Sequence, residues 1–141
     1  MANIRALGLT ENHRRGITTT LRLLDQALCG VCQWAEGREV RSVFYQESNR
    51  LTATQRENIL ATVSSMQEKL LHIREDLQLE PHVQSVADSI RGQCLILWTS
   101  LVELESGRLA RYGKIPAELP DYLDPKNKVL VEHLKGIMET L

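Results

Sequence analysis

Apolar residues recur at alternating steps of four and three in four separate stretches of this chain. This heptad pattern keeps one seam of a helix facing a neighbouring helix, and four such helices can close around a shared core. The sequence therefore predicts an all-α protein, a four-helix bundle of long heptad-patterned helices. The seam positions are Ile17, Leu21, Leu24, Leu28, Val31 and Ala35, then Ile59, Val63, Met66, Leu70, Ile73 and Leu77, then Val83, Ala87, Ile90, Cys94, Leu97, Leu101 and Leu104, and finally Leu130, Leu134, Ile137 and Leu141.

Local signals place the ends of the first two helices. The first helix is predicted from Thr10 to about Glu36, because the glycine that follows is a natural C-terminal stop. The second begins at Thr54-Gln55-Arg56-Glu57, which matches a capping box, and runs to about Leu79. Between them, Val40, Val43 and Phe44 could line one side of a short helix, so the pattern leaves open one extra helix in the 38–51 connection.

Prolines set the remaining boundaries. Pro81 is expected to end the second helix and open the third, since proline is tolerated in the first turn of a helix and not in its middle. The third helix is then predicted from Pro81 to Tyr112, with an extended connection over 113–123. Asp124-Pro125 has the form of a cap followed by a first turn, so the fourth helix is expected to start there. Helix connectivity within the bundle stays open.

Composition and charge favour one soluble domain over residues 1–141. The chain has 141 residues, 43% of them hydrophobic and 25% charged, with a formal net charge of −1. No basic footprint for nucleic acid is present. The longest strongly apolar run, Cys94 to Trp98, is too short to span a membrane, and the first eight residues lack the apolar core of a signal peptide. The three cysteines have no disulfide-framework spacing, which favours the reducing cytoplasm.

Cys29-Gly30-Val31-Cys32 is the one short motif with conceivable chemistry. A C-x-x-C pair can cycle between dithiol and disulfide when one thiol is acidified, usually at a helix N-terminus. Here the pair lies several turns into the first helix, where the helix dipole gives no such help. The sequence thus favours two packing thiols, and a redox-active or small-ligand-binding bundle centred on Cys29 and Cys32 is the alternative.

The heptad register also bears on metals and cofactors. Metal sites in helical bundles use Glu and His side chains that project inward. Every seam position of this chain is apolar or Cys94, so the sequence predicts no interior metal site and no cofactor.

A second apolar stripe on the third helix carries the positive functional signal. It consists of Leu95, Trp98, Val102 and Leu109, and Trp34 on the first helix could add to the same surface. A helix that is apolar on most sides must be covered on most sides. The cover is either the connections of the chain itself or another protein, with tryptophan as a typical anchor. The sequence therefore favours a non-catalytic protein that acts through association, as a homodimer or with a helical partner. A bundle that holds an apolar small molecule between its helices is a third possibility.

Overall fold

A computed structural model describes residues 8–141, of which 71% are helical. The prediction of an all-α fold with four long helices is confirmed. The elements are α1 (Glu11–Ala35), α2 (Ala53–Leu77), α3 (Val86–Val102), the short α4 (Ser106–Leu109), a 3₁₀ turn (Ala110–Tyr112) and α5 (Leu119–Glu139). The predicted lack of a signal peptide concerns the first residues, of which 1–7 lie outside the described part.

The chain divides into two compact units after His82. In the first unit α1 packs against α2, and in the second α3 and α4 pack against α5. Each unit is thus built around one pair of long helices. The assignment of residues 1–141 to a single domain stays a prediction.

Both ends of α1 form as its sequence predicts. Thr10 caps the helix by accepting a hydrogen bond from the backbone N–H of His13 (3.1 Å), and the His13 ring accepts one from the Thr10 N–H (3.2 Å). At the other end the N–H of Gly37 donates to the carbonyl of Trp34 (3.0 Å). Gly37 has φ of +107°, a backbone conformation that favours glycine after a helix.

The N-cap of α2 lies two residues earlier in the chain than the first residue of the predicted capping box. Thr52 is the N-cap, with its hydroxyl accepting from the N–H of Gln55 (3.1 Å) while the Gln55 side chain accepts from the N–H of Thr52 (2.9 Å). Two overlapping threonine motifs stand at this point, and the glutamine box at Thr52 forms instead of the glutamate box at Thr54. The difference moves the start of the helix by only two residues.

The 38–51 connection forms no helix, so the extra helix left open for it is wrong. Its backbone instead turns back on itself, with an isolated bridge between Arg41 and Gln46. The Asn49 side chain donates to the carbonyls of Trp34 and Arg38, both at 2.8 Å, and so ties the connection to the end of α1 and to the residues just after it. These bonds from a side chain to the backbone hold the connection in place, where a helix would use repeated hydrogen bonds within its own backbone. The short helix of this protein lies at Ser106–Leu109.

The third and fourth helices differ most from their predicted bounds. Ser85, rather than Pro81, caps α3, accepting from the N–H of Asp88 (3.2 Å). The carboxylate of Asp124 accepts from the hydroxyl (2.8 Å) and the N–H (3.1 Å) of Ser106, so it fixes the start of α4 instead of capping its own helix. Helix α5 begins at Leu119 and runs through Pro125, so the predicted extended connection is partly helical.

Each helix pair has a thin core. Among the described residues, the buried ones are Leu28, Ala35 and Val63 in the first unit and Cys94 and Asn127 in the second. A pair of helices can enclose only the residues on the line where the two helices meet. Most other seam side chains are therefore half-buried or exposed.

Candidate interaction surfaces

The predicted seam of the second unit is only partly covered by its own helix pair. Leu97, Leu104, Leu130 and Ile137 remain between 40% and 51% exposed, although Cys94 between the same helices is buried. Leu97 lies in α3 and Leu104 in the turn that follows it, whereas Leu130 and Ile137 stand seven residues apart in α5 and share one side of that helix. We call these four residues the α3/α5 face. It is an apolar surface that the unit leaves open to solvent.

The second apolar stripe is partly covered by the chain itself. Leu95 and Trp98 are exposed, whereas Val102 and Leu109 are half-buried. The ammonium of Lys135 lies 5.7 Å from the centre of the Trp98 ring, within the range of a cation–π contact. Leu109 belongs to α4 rather than to α3, since α3 ends at Val102. The structure thus places these four residues in the second unit and leaves the Leu95 and Trp98 end of the stripe the more open.

Trp34 lies in the first unit, where it takes part in a polar cluster of the 38–49 loop. Its indole N–H donates to Glu47 (2.7 Å), which also accepts from the N–H of Val40 (2.9 Å) and the hydroxyl of Tyr45 (3.0 Å). The hydrogen bond from the Val40 N–H lowers the pKa of Glu47 below its ordinary value, and the bonds from Trp34 and Tyr45 lower it further. The bond to Glu47 raises the pKa of the Tyr45 hydroxyl, because it is made by the neutral form. We call this cluster the Glu47 hub.

A second carboxylate completes the order of this loop. Glu39 accepts from the N–H of Asn49 (2.9 Å) and pairs with Arg41. The Asn49 N–H, followed by Arg41, lowers the pKa of Glu39. Two ionised carboxylates therefore tie both strands of the turn to each other and to the end of α1.

The ordered loop carries an apolar tip. Phe44 is as exposed as it would be in an unfolded chain (101%), and Val43 beside it is also exposed. Sequence reasoning missed this tip, because it treated Val43 and Phe44 as one side of a helix. A run of Val, Phe and Tyr is an ordinary signal for burial, and only the long-range bonds of Glu47 and Asn49 reveal that it forms a turn.

The two cysteines of the C-x-x-C pair differ in exposure and in hydrogen bonding. Cys29 is exposed and Cys32 is half-buried on α1. The Cys32 thiol donates to the carboxylate of Glu36 at 3.3 Å, and this bond raises the pKa of Cys32 above its ordinary value. A raised pKa disfavours the thiolate, which is the nucleophilic form. Cys94 is buried in the second unit, where it packs as a small apolar residue.

The described residues contain no group of three or more His, Cys, Asp or Glu side chains arranged to hold a metal ion. Among the described helices, none combines the length and apolar composition that crossing a bilayer requires. Comparisons with protein-family profiles, with curated proteins and with solved structures find no match to the chain.

Proposed function

We propose that this chain is a non-catalytic cytoplasmic protein that acts through protein–protein association, as a homodimer. The observation that supports this proposal is the α3/α5 face. Its four large aliphatic side chains, three in α3 and α5 and Leu104 in the turn after α3, remain about half exposed. Contiguous exposed apolar surface of this kind marks interaction sites in soluble proteins.

Covering this face contributes favourable free energy to association. Fully burying one large aliphatic side chain contributes about 1.5–3 kcal/mol, so covering the exposed half of four of them contributes about 3–6 kcal/mol per protomer. A twofold dimer uses the same patch on both subunits, so one apolar face supplies both sides of the interface. Symmetric dimers are also the commonest assemblies among soluble oligomers.

Light scattering of the purified protein tests the proposal. We expect a mass of about 32 kDa, twice the 16.0 kDa of one chain. Leu130→Lys places a charge within the α3/α5 face and should give a folded monomer, because a half-exposed position tolerates lysine until a partner covers it. The matched control is Glu132→Lys, which adds the same side chain at an exposed position on another side of α5 and should remain dimeric.

Val102→Glu tests the second stripe in the same assay. If the stripe belongs to the interface, the variant should dissociate, since burying an unpaired carboxylate costs several kcal/mol. A wild-type monomer at tens of micromolar would overturn the homodimer. A monomer whose melting temperature falls sharply with Leu130→Lys would show that the chain itself covers this face.

A further inference from the structure

A cleft in the first unit combines an apolar floor with several arginines. Residues 79–82 follow the end of α2 and, together with residues of α1, line two cavities. The smaller cavity has a volume of about 160 Å³ and the larger about 520 Å³. They share Thr18, Arg22, Leu79, Glu80 and His82 in their walls, and we call the two together the α1 cleft. A bond from the Arg14 guanidinium to the carbonyl of Leu77 fixes α1 to the end of α2 at this point.

The smaller cavity supplies the apolar part of the cleft. Its walls include the side chains of Leu21, Leu70, Leu79 and Pro81. A buried apolar cavity of about 150 Å³ is large enough to hold a benzene ring. The floor of the α1 cleft therefore fits an apolar body the size of one aromatic ring.

Guanidinium groups supply the polar part. Arg14, Arg15, Arg22 and Arg74 all line the cleft, and none of them forms an ion pair with the described residues. Arg22 is half-buried and belongs to both cavities. The acidic residues in the walls are Glu11, Asp25 and Glu80, so arginine exceeds carboxylate by four to three. The cleft keeps several strong donors whose charge the protein does not pair.

We propose that the α1 cleft binds a small amphipathic anion, with an apolar body the size of one aromatic ring and a carboxylate or phosphate head. The body lies on Leu21, Leu70 and Leu79. The head bonds to Arg22 and Arg15, which both line the larger cavity, because the planar donor fork of arginine matches the two oxygens of either anion. This site is separate from the proposed dimer face, and neither proposal depends on the other.

Isothermal titration calorimetry with four probes tests the site. 3-Phenylpropionate and phenyl phosphate carry both parts of the ligand and differ in the head group. 3-Phenylpropan-1-ol lacks the charge, and acetate lacks the apolar body. We expect saturable binding of at least one of the first two probes, with the alcohol and acetate each at least about tenfold weaker. The tighter of the first two identifies the head group.

Variants then locate the binding. Arg22→Gln and the more exposed Arg15→Gln should each weaken the preferred probe at least about fivefold, while Arg50→Gln, an arginine outside the cleft, should leave it unchanged. Circular dichroism checks that each variant is folded, and Arg15→Gln keeps the test decisive if Arg22→Gln unfolds. Equal affinity for the alcohol, equal loss with Arg50→Gln, or no binding of either anion up to about 10 mM would overturn the proposal.

Discussion

The side-chain amide of Asn127 in α5 donates a hydrogen bond to the carbonyl of Leu101 in α3, at 2.9 Å. Asn127 is only 5% exposed and is the one buried polar residue in the described part of the chain. Leu101 lies in the last turn of α3, where carbonyls lack partners within the helix. This bond therefore fixes the end of α3 against α5, while the buried amide oxygen of Asn127 accepts no hydrogen bond from the described residues.

Asn127→Asp should destabilise the protein by about 3 kcal/mol or more at pH 7, because it buries an unpaired carboxylate. Burial raises the folded-state pKa of the new carboxyl above its unfolded value of about 3.9. The loss is therefore full above the folded pKa and disappears as the pH falls towards 3.9, where the protonated carboxyl can donate to Leu101. Urea unfolding of variant and wild type at pH 7 and pH 4.5 measures the difference.

Asn127→Ala is the control for that experiment. It should cost about 1–2 kcal/mol, since it removes one hydrogen bond but buries no charge. Its cost should not depend on pH between 4.5 and 7. A similar pH dependence in both variants would contradict the role assigned to the carboxyl.

The 38–49 loop should lose its order in acid before the helices unfold. The folded-state pKa values of Glu47 and Glu39 lie below their ordinary values, so their contribution to stability is complete above pH values of about 4.3 and is lost as the pH falls through the folded pKa values. The NMR signal of the Trp34 indole N–H, which is bonded to Glu47, reports this change. Glu47→Gln should shift that signal already at pH 7. An indole signal that stays unchanged down to pH 2.5 would contradict the hub.

Gly37→Ala should destabilise the first unit by about 1–2 kcal/mol. Gly37 has φ of +107°, which strains any residue with a Cβ, and an added Cβ would lie 3.1 Å from the guanidinium of Arg56. Gly30→Ala is the matched control in the middle of α1, where an added Cβ meets nothing within 4 Å. It should stabilise the protein by about 0.5–1 kcal/mol, because alanine is a better helix former. Chemical denaturation measures the free energy of unfolding of both variants against wild type.

Cys32 should react with iodoacetamide more slowly than Cys29 at pH 8. Its bond to Glu36 raises its pKa and reduces the fraction of thiolate. Glu36→Gln removes the charged acceptor and should raise the rate at Cys32 without changing that at Cys29. Mass spectrometry of the labelled peptides gives both rates in one sample. A faster reaction at Cys32 than at Cys29 would contradict this prediction and support the redox alternative.

The helices were predictable because their signals are local. The heptad pattern and the cap at Thr10 lie within a few residues of the structure that they specify. The start of α4 is held by the bond of Asp124 to Ser106, eighteen residues away, and no local pattern records that bond. The candidate sites were harder to predict, because they also depend on contacts between residues far apart in the sequence. The α1 cleft joins Arg22 to Pro81 and the Glu47 hub joins Trp34 to a turn thirteen residues later, so both depend on how α1 packs with the segments after it.

Phe44 is as exposed to water in the folded chain as in the unfolded chain, so its side chain contributes no hydrophobic burial to the free energy of folding. Its transfer free energy, about 1.5–3 kcal/mol for a buried phenylalanine, is still available to any surface that covers it. The loop beneath it is already ordered by Glu47 and Glu39, and little conformational entropy remains to be lost on contact. At this tip, the conformational entropy that a loop usually loses on binding is already lost on folding.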